Sequence, residues 1–407
     1  MHHRGTEREA EFMALADRLA EQFAGRGAEH DRQNTFPFEN FREMHETGYL
    51  SLTVPEEYGG RGANPFELAL AQERLARGCG ATALAATMHL VYLGRLGESR
   101  SWPEELYAGV CRDVVANGAL INSAASEPEM GSPSRGALPS TRAERTPNGW
   151  RLNGRKRWTS LAPALTYLDV LATAIEEDEP PRRATFLVRA ETPGIRIEET
   201  WDNLGMRATA SHDVVFEEVE VPLDARLPGE NPARAGEARA WSIFPTAAVY
   251  LGIAGAARDA AVAYARERRP NGMAGPIAEL QTIQHRVAEI ELLLFQSRSV
   301  LYETAAAWVG EPERRGEMSW QPVAVKYLVS NNAIRVTDLA LRIVGAAGLS
   351  RTLPFERYLR DARAGLGHPP MDDAALTLIG KAALGLGEGE TPPRVATEMR
   401  DGVAVAG

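Results

Sequence analysis

The chain has 407 residues, 44% of them hydrophobic and 25% charged, which is ordinary for a soluble globular protein of two or three domains, or one large one. A formal charge of -10 argues against a nucleic-acid partner, because neutralising phosphates needs a basic face. Two cysteines, Cys79 and Cys111, exclude a readable disulfide framework and fit a reducing compartment, so a cytoplasmic protein is expected.

The opening MHHRGTEREAEF has no apolar stretch after its charges, so it does not read as a signal peptide. Phe12, Leu15, Leu19 and Phe23 recur at three and four residues, the spacing of one face of an amphipathic helix. Further helices are expected from about Pro65 to Ala76 and around Ala81 to Leu93, joined to the first by the turn-rich VPEEYGGRGAN. The character changes near Ala119. ALINSAAS is short, apolar and bounded by polar residues. Pro147-Asn148-Gly149 and Asn153-Gly154 read as turns around strands Trp150–Leu152 and Lys156–Trp158. YLDVLATA, ATFLVRA, GIRIEE and DVVFEEVEVP continue the strand pattern, with Val215, Val219 and Val221 on one side if the last is regular. Strands at this spacing predict an antiparallel barrel or sandwich. From about Glu237 the pattern returns to helix. Val325, Leu328, Asn332, Val336, Leu339 and Ile343 hold a helical register, and long helices with short connections predict a bundle. The last twenty residues read as a mobile tail. No run of eighteen apolar residues is present, so no membrane span is expected. The domain boundaries expected are 1–118, 119–232, 233–387 and a tail over 388–407.

Generic cofactor motifs fail. Neither a P-loop nor a glycine-rich dinucleotide fingerprint occurs, and the eight histidines show no metal-ligand spacing, so no metal site is expected. Ser211, His212 and Asp213 cannot form a triad, because neighbours on a strand point to opposite faces. His89, on a mostly apolar helix, reads as a satisfied core histidine rather than a reactive one.

The order of helical, sheet and helical regions frames a set of motifs: VPEEYGGRG, SEPEMGSP, NGRKRWTS, LGMRATASHDVVFEEVEVP, YARERRPNG followed by Gln281, and VGAAG with LPFERYLRDAR. In this order, over nearly the whole chain, they resemble the acyl-CoA dehydrogenase superfamily. The resemblance implies a helical N-terminal domain, a central antiparallel β-barrel and a C-terminal four-helix bundle. It also implies FAD, with FMN as the alternative, between barrel and bundle, and a homodimer or homotetramer that shares the cofactor site. By position in the motifs, Trp158 would cover a flavin face. Ser160 would bond the ring near its reactive nitrogen, and Ser126 its pyrimidine side. Ser132 would lie toward the substrate or phosphate end. Arg268 would pair with the pyrophosphate, while Gln281 and the Gly345–Gly348 turn would reach the cofactor across a subunit boundary. Two departures weigh on the distal contacts: Asn271 and Arg342 stand where the family usually has an aromatic residue and a glutamine.

The catalytic pattern also breaks. The family's usual glutamate lies nine residues after the arginine of its R-D-A motif, and counting from Arg360 reaches Pro369. The other known position, early in the first bundle helix, reaches Ser242. GLGHPPMDDAAL places His368 one residue from the missing base, which resembles the flavin monooxygenase branch of the fold. Three readings stand open: a dehydrogenase of an acyl thioester or related activated carbon with an unusual base; a monooxygenase fed by a separate flavin reductase; and a silent flavoprotein. His368 is the candidate catalytic group near neutral pH, with Asp372 and Asp373 as rivals.

Overall fold

Phe12, Leu15, Leu19 and Phe23 are all buried and make α1 (Glu7–Ala24) the first wall of the core. The computed structural model describes residues 5–129, 138–229 and 235–386, with the side chains of 235–239 excepted. Ser132 and the expected tail, 388–407, lie outside the described residues. Short helices α2 (Gly27–Gln33) and α3 (Phe38–Glu46) follow, then α4 (Pro65–Gly78), α5 (Gly80–Ser99) and α6 (Glu104–Asn117). The start of α4 is written locally. Asn64 Oδ1 accepts from the amides of Phe66 and Glu67, Glu67 returns the bond to Asn64 N, and Pro65 takes the first helical position. α5 is buried on nearly every side, as an all-round apolar helix must be in a folded chain.

Among the described residues, seven strands form the middle of the chain: β1 (Ile121–Ala124), β2 (Arg142–Thr146), β3 (Gly149–Thr159), β4 (Tyr167–Glu176), β5 (Glu179–Arg189), β6 (Ile195–Glu198) and β7 (His212–Pro222). The expected antiparallel barrel is corrected to an open, mixed sheet. β1 and β2 both pair parallel to β4, end to end along one of its edges, while β5 pairs antiparallel on the other. The cause is the path of the chain. After the β2–β3 hairpin, β4 crosses back to the far side of β2, and a third strand beside a hairpin's first strand runs parallel to it. Pro147 and Asn148 turn that hairpin as expected.

Asn153-Gly154 does not turn the chain. It lies inside β3, opposite an extra residue in β7: Leu152 faces Val219, but Gly154 faces Phe216. This bulge, with Glu218 at φ 51°, flips the alternation of β7, so Val214 and Phe216 join Val219 and Val221 in the core, while Val215, also buried, stays outside it. Gly154 is required here because it sits at φ 152° and a Cβ would lie 2.6 Å from Thr141 Cα.

The last region holds α7 (Ala235–Glu267), α8 (Gln281–Gly310), α9 (Gln321–Val344), α10 (Phe355–Arg363) and α11 (Asp372–Ala383). Among the described residues, the expected bundle of four helices is three long helices and two short ones, with α4 packed along α7. Gly252 permits that approach, since a Cβ there would lie 2.3 Å from the carbonyl oxygen of Glu73. Within α7, Ala240–Glu267 is long and apolar enough to cross a membrane, but 94% of its apolar window is buried inside the fold, which makes it the central core helix. Apolar side chains of the first helices, the sheet and the bundle form one continuous core.

Candidate functional site

The motif residues of the sheet and of α10 collect at two places, and a chain of hydrogen bonds runs from the first to α10, the helix before the second. The first is the exit of β1 against the end of β3. A second bulge falls here: Lys156 pairs with Val214 and Thr159 with His212, which leaves an extra residue in β3. Trp158 occupies it at φ 58°. A bulky residue with positive φ is strained, and bulges next to sites serve to re-aim a side chain. The indole is 58% exposed, a high value for tryptophan. The Arg157 guanidinium lies 5.7 Å from the ring centroid.

Ser126 and Ser160 flank this tryptophan. Arg157 N donates to Ser126 O at 2.8 Å, and Asn122 Nδ2 donates to Ser160 O at 3.0 Å. A buried ion pair that the sequence reading missed holds the two motifs together. Lys156 Nζ lies 2.6 Å from Glu127 Oε1, with both side chains fully buried. Glu127 also accepts from the amides of Ser140 and Thr141 at 2.5 and 2.9 Å. Burial alone would raise the Glu127 carboxyl, but the bonds from Lys156 and Thr141 outweigh it and hold the group below its ordinary value. The signal was present as the acid of SEPEMGSP and the lysine of NGRKRWTS, though nothing local says that they meet.

Ser160 Oγ lies 2.8 Å from Ser211 Oγ, which lies 2.8 Å from Thr209 Oγ1. Thr209 donates to Met206 O at 2.9 Å, and Met206 N donates to Asp361 Oδ1 at 2.6 Å. Asp361 belongs to the R-D-A motif on α10, so the β3 motif is tied to the segment that leads to His368. Its neighbour Arg360 binds both oxygens of Asp31 at 2.9 and 2.6 Å, and donates to Leu204 O at 2.8 Å. Ser211, His212 and Asp213 diverge as expected: His212 Nδ1 accepts from Trp201 N, and Asp213 pairs with Arg155.

The second place is the loop after α10. His368 Nδ1 lies 3.0 Å from the hydroxyl of Tyr250 on α7. Tyr250 is fully buried, and this is the hydroxyl's one hydrogen-bond partner among the described residues. If Nδ1 carried the proton, the phenolic hydrogen would be buried without an acceptor, at a cost of about 1–3 kcal/mol. We therefore assign Tyr250 as the donor, which leaves the imidazole proton on Nε2. Burial, and secondly the charge of Lys326, push the His368 ring down to about 4. Tyr250 is held well above its ordinary value, mainly by burial, and keeps its proton.

Of the other predicted residues, Arg268, Gln281 and Gly345 lie exposed on the bundle. Arg268 follows α7 and Gln281 opens α8. Gly345 closes α9 at φ 71° with open space where a Cβ would stand. Ser242 is exposed, and Pro369 offers no proton-accepting side chain. Asp372 accepts from Asn331 Nδ2 at 3.0 Å. His89 is a structural histidine: its two ring nitrogens bond Leu50 O and Ile121 N, and burial lowers it to about 4.

Comparison with known proteins agrees with this arrangement. Family models match in order along the chain: acyl-CoA dehydrogenase, N-terminal domain, over residues 6–98; middle domain over 122–219; and C-terminal domain over 240–366. Bacillus subtilis YdbM, which carries an acyl-CoA dehydrogenase name, is 42% identical over 91% of this chain and 96% of its own. The amino sugar nitrososynthase DnmZ of Streptomyces peucetius is 32% identical over 92% of this chain and 93% of its own. Among solved structures, KijD3 in complex with FMN and a dTDP-linked amino sugar superposes with a TM-score of 0.84 at 29% identity, covering 96% of this chain and 97% of that one. The chain belongs to the acyl-CoA dehydrogenase family.

Proposed function

We propose that this chain is a flavoenzyme that uses reduced flavin and molecular oxygen to oxygenate a small molecule, with the reduced flavin supplied by a separate reductase. The observation that carries the reading is His368. Where the family's dehydrogenases would present a carboxylate to take an α-proton, this chain presents a neutral imidazole with its inner nitrogen engaged by Tyr250. A general base works best with a pKa near the working pH, and a ring lowered to about 4 is a weak one. Its Nε2–H is instead a hydrogen-bond donor, suited to steadying negative charge that develops on oxygen.

The residues present fit a flavin. Trp158 offers an exposed apolar plane, and Ser126 and Ser160 supply polar groups at its edge. When bound in reduced form, the flavin would supply two electrons to dioxygen, so that one oxygen atom enters the substrate and the other leaves as water. Arg268, Gln281 and Gly345, exposed on one chain, would reach the adenylate end of FAD in a homodimer or homotetramer. KijD3 with FMN supports the cofactor, and the nitrososynthase relative supports the oxygen chemistry.

A second reading, a dehydrogenase of acyl thioesters, is favoured by the 42% identity to YdbM. Anaerobic mixing of the flavin-loaded protein with a panel of acyl-CoAs separates the two. The expected outcome is no bleaching of the flavin, together with substrate-dependent product formation when reductase, NADH and air are supplied. Rapid anaerobic bleaching by an acyl-CoA would overturn the oxygenase reading. A protein that is not thermally stabilised by FAD or FMN would overturn both.

A further inference from the structure

Lys326, on α9, is buried with only 1% of its surface exposed. Its Nζ has no hydrogen-bond partner among the described residues, and the nearest carboxylate oxygen, Asp372 Oδ1, stands at 3.7 Å. Lysine is among the residues least often fully buried, and a buried ammonium without close partners is costly. The residues around it belong to the His368 pair. Ser330 lies one turn on from Lys326, on the same face of α9, and its Oγ is also buried and unpaired. Ser330 and Tyr250 both pack within 3.3 Å of the point where a Cβ on Gly365 would stand, three residues before His368. Asp372, four residues after His368, is the carboxylate that Lys326 faces and that Asn331 holds.

We propose that Lys326 is a positioning residue for His368, with Asp372 as its counter-charge: a buried ammonium beside the Tyr250–His368 pair, whose facing carboxylate stands 3.7 Å away, keeps the imidazole uncharged. The groups around the ring and its two polar neighbours come from every packed element. α7 gives Tyr250, α9 gives Lys326 and Ser330, α10 gives Asp361 behind Tyr250, and α11 gives Asp372. Of these, Lys326 is the charge that bears on the ring, while Asp361 bears on Tyr250 and Asp372 on Lys326. The lowering of His368, with Lys326 as its charged contributor, agrees with that arrangement. The inference rests on the proposed role of His368 as a donor, but its test does not need turnover.

The side-chain nitrogens of His368 are followed by 15N NMR in the folded protein, with His368→Ala supplying the assignment. In the native protein the ring is expected to be uncharged at pH 6 with Nε2 protonated. Lys326→Met removes the charge at similar length. It should raise the charged fraction of His368 at pH 6 about tenfold for each unit by which the midpoint climbs. Replacing a buried ion by an apolar side chain is often neutral for stability. If that variant nevertheless fails to fold, Asp372→Asn replaces it: removing the counter-charge leaves the ammonium unopposed and should lower the His368 midpoint below the native one. An unchanged titration in folded Lys326→Met, or an unchanged or raised midpoint in Asp372→Asn, overturns the assignment. The expected titration shift together with no oxygen-dependent product would instead sink the functional reading and leave the pair standing.

Discussion

Tyr250→Phe is the smallest change that tests the assigned proton position. It removes one hydroxyl from a fully buried ring and leaves His368 Nδ1 without its donor. The expected loss of stability is about 1 kcal/mol, the usual worth of such a bond, with flavin retained. The two imidazole tautomers should then coexist in the 15N spectrum, and turnover should fall roughly tenfold or more. A single unchanged tautomer at native turnover would remove Tyr250 from the site. His368 was legible by counting from Arg360, but its partner lies 118 positions away inside an apolar helix, where an aromatic residue reads as core. Lys326 left a clearer trace, since it interrupts the buried stripe of Val323 and Val329.

At the scale of the element, the two β3 bulges matter more than the strand count. The sequence reading divided β3 at Asn153-Gly154 because that dipeptide is the strongest short-range turn signal. Tertiary pairing with β7 took the same dipeptide for a bulge, and no local rule distinguishes the two uses. The parallel pairing of β1 and β2 with β4 was equally hidden, because crossover order is a property of the assembled sheet. The Glu127–Lys156 pair fastens the β1 exit to β3, and a charge-removing cycle measures it. Glu127→Gln strands a buried ammonium and should cost about 3–5 kcal/mol, while adding Lys156→Met should recover much of that loss. Chemical unfolding of both variants, with FMN and FAD titrations, checks the claim. A double variant no more stable than Glu127→Gln would show that the strand holds without the pair.

Over the whole molecule, Arg360 draws the first helices, the loop before β7 and the bundle onto one side chain, so the three regions share charges as well as core. Stability should therefore respond to pH as one unit. His89 and His368 are lowered to about 4 when folded, so each contributes stability above pH 6.5 that is lost as pH falls toward 4. Asp361 is raised to about 6, chiefly by burial, and acts in the opposite sense: its contribution is present at low pH and lost as pH rises through 6. These two histidines against this carboxyl leave a net rise of about 1.4 kcal/mol per pH unit between pH 4.5 and 6, and His212, also lowered by burial, adds in the same sense. Urea unfolding across that range measures the slope, and a flat or falling profile would refute the sum. The packing of α5 and α4 against α7 also has a consequence for biosynthesis. The N-terminal helices leave the ribosome with the apolar face that packs on α7 uncovered, and α7 is made after the entire sheet. Until then the nascent chain carries an uncovered greasy surface, and a fragment that stops before α7 is expected to aggregate, which a solubility assay of that fragment checks.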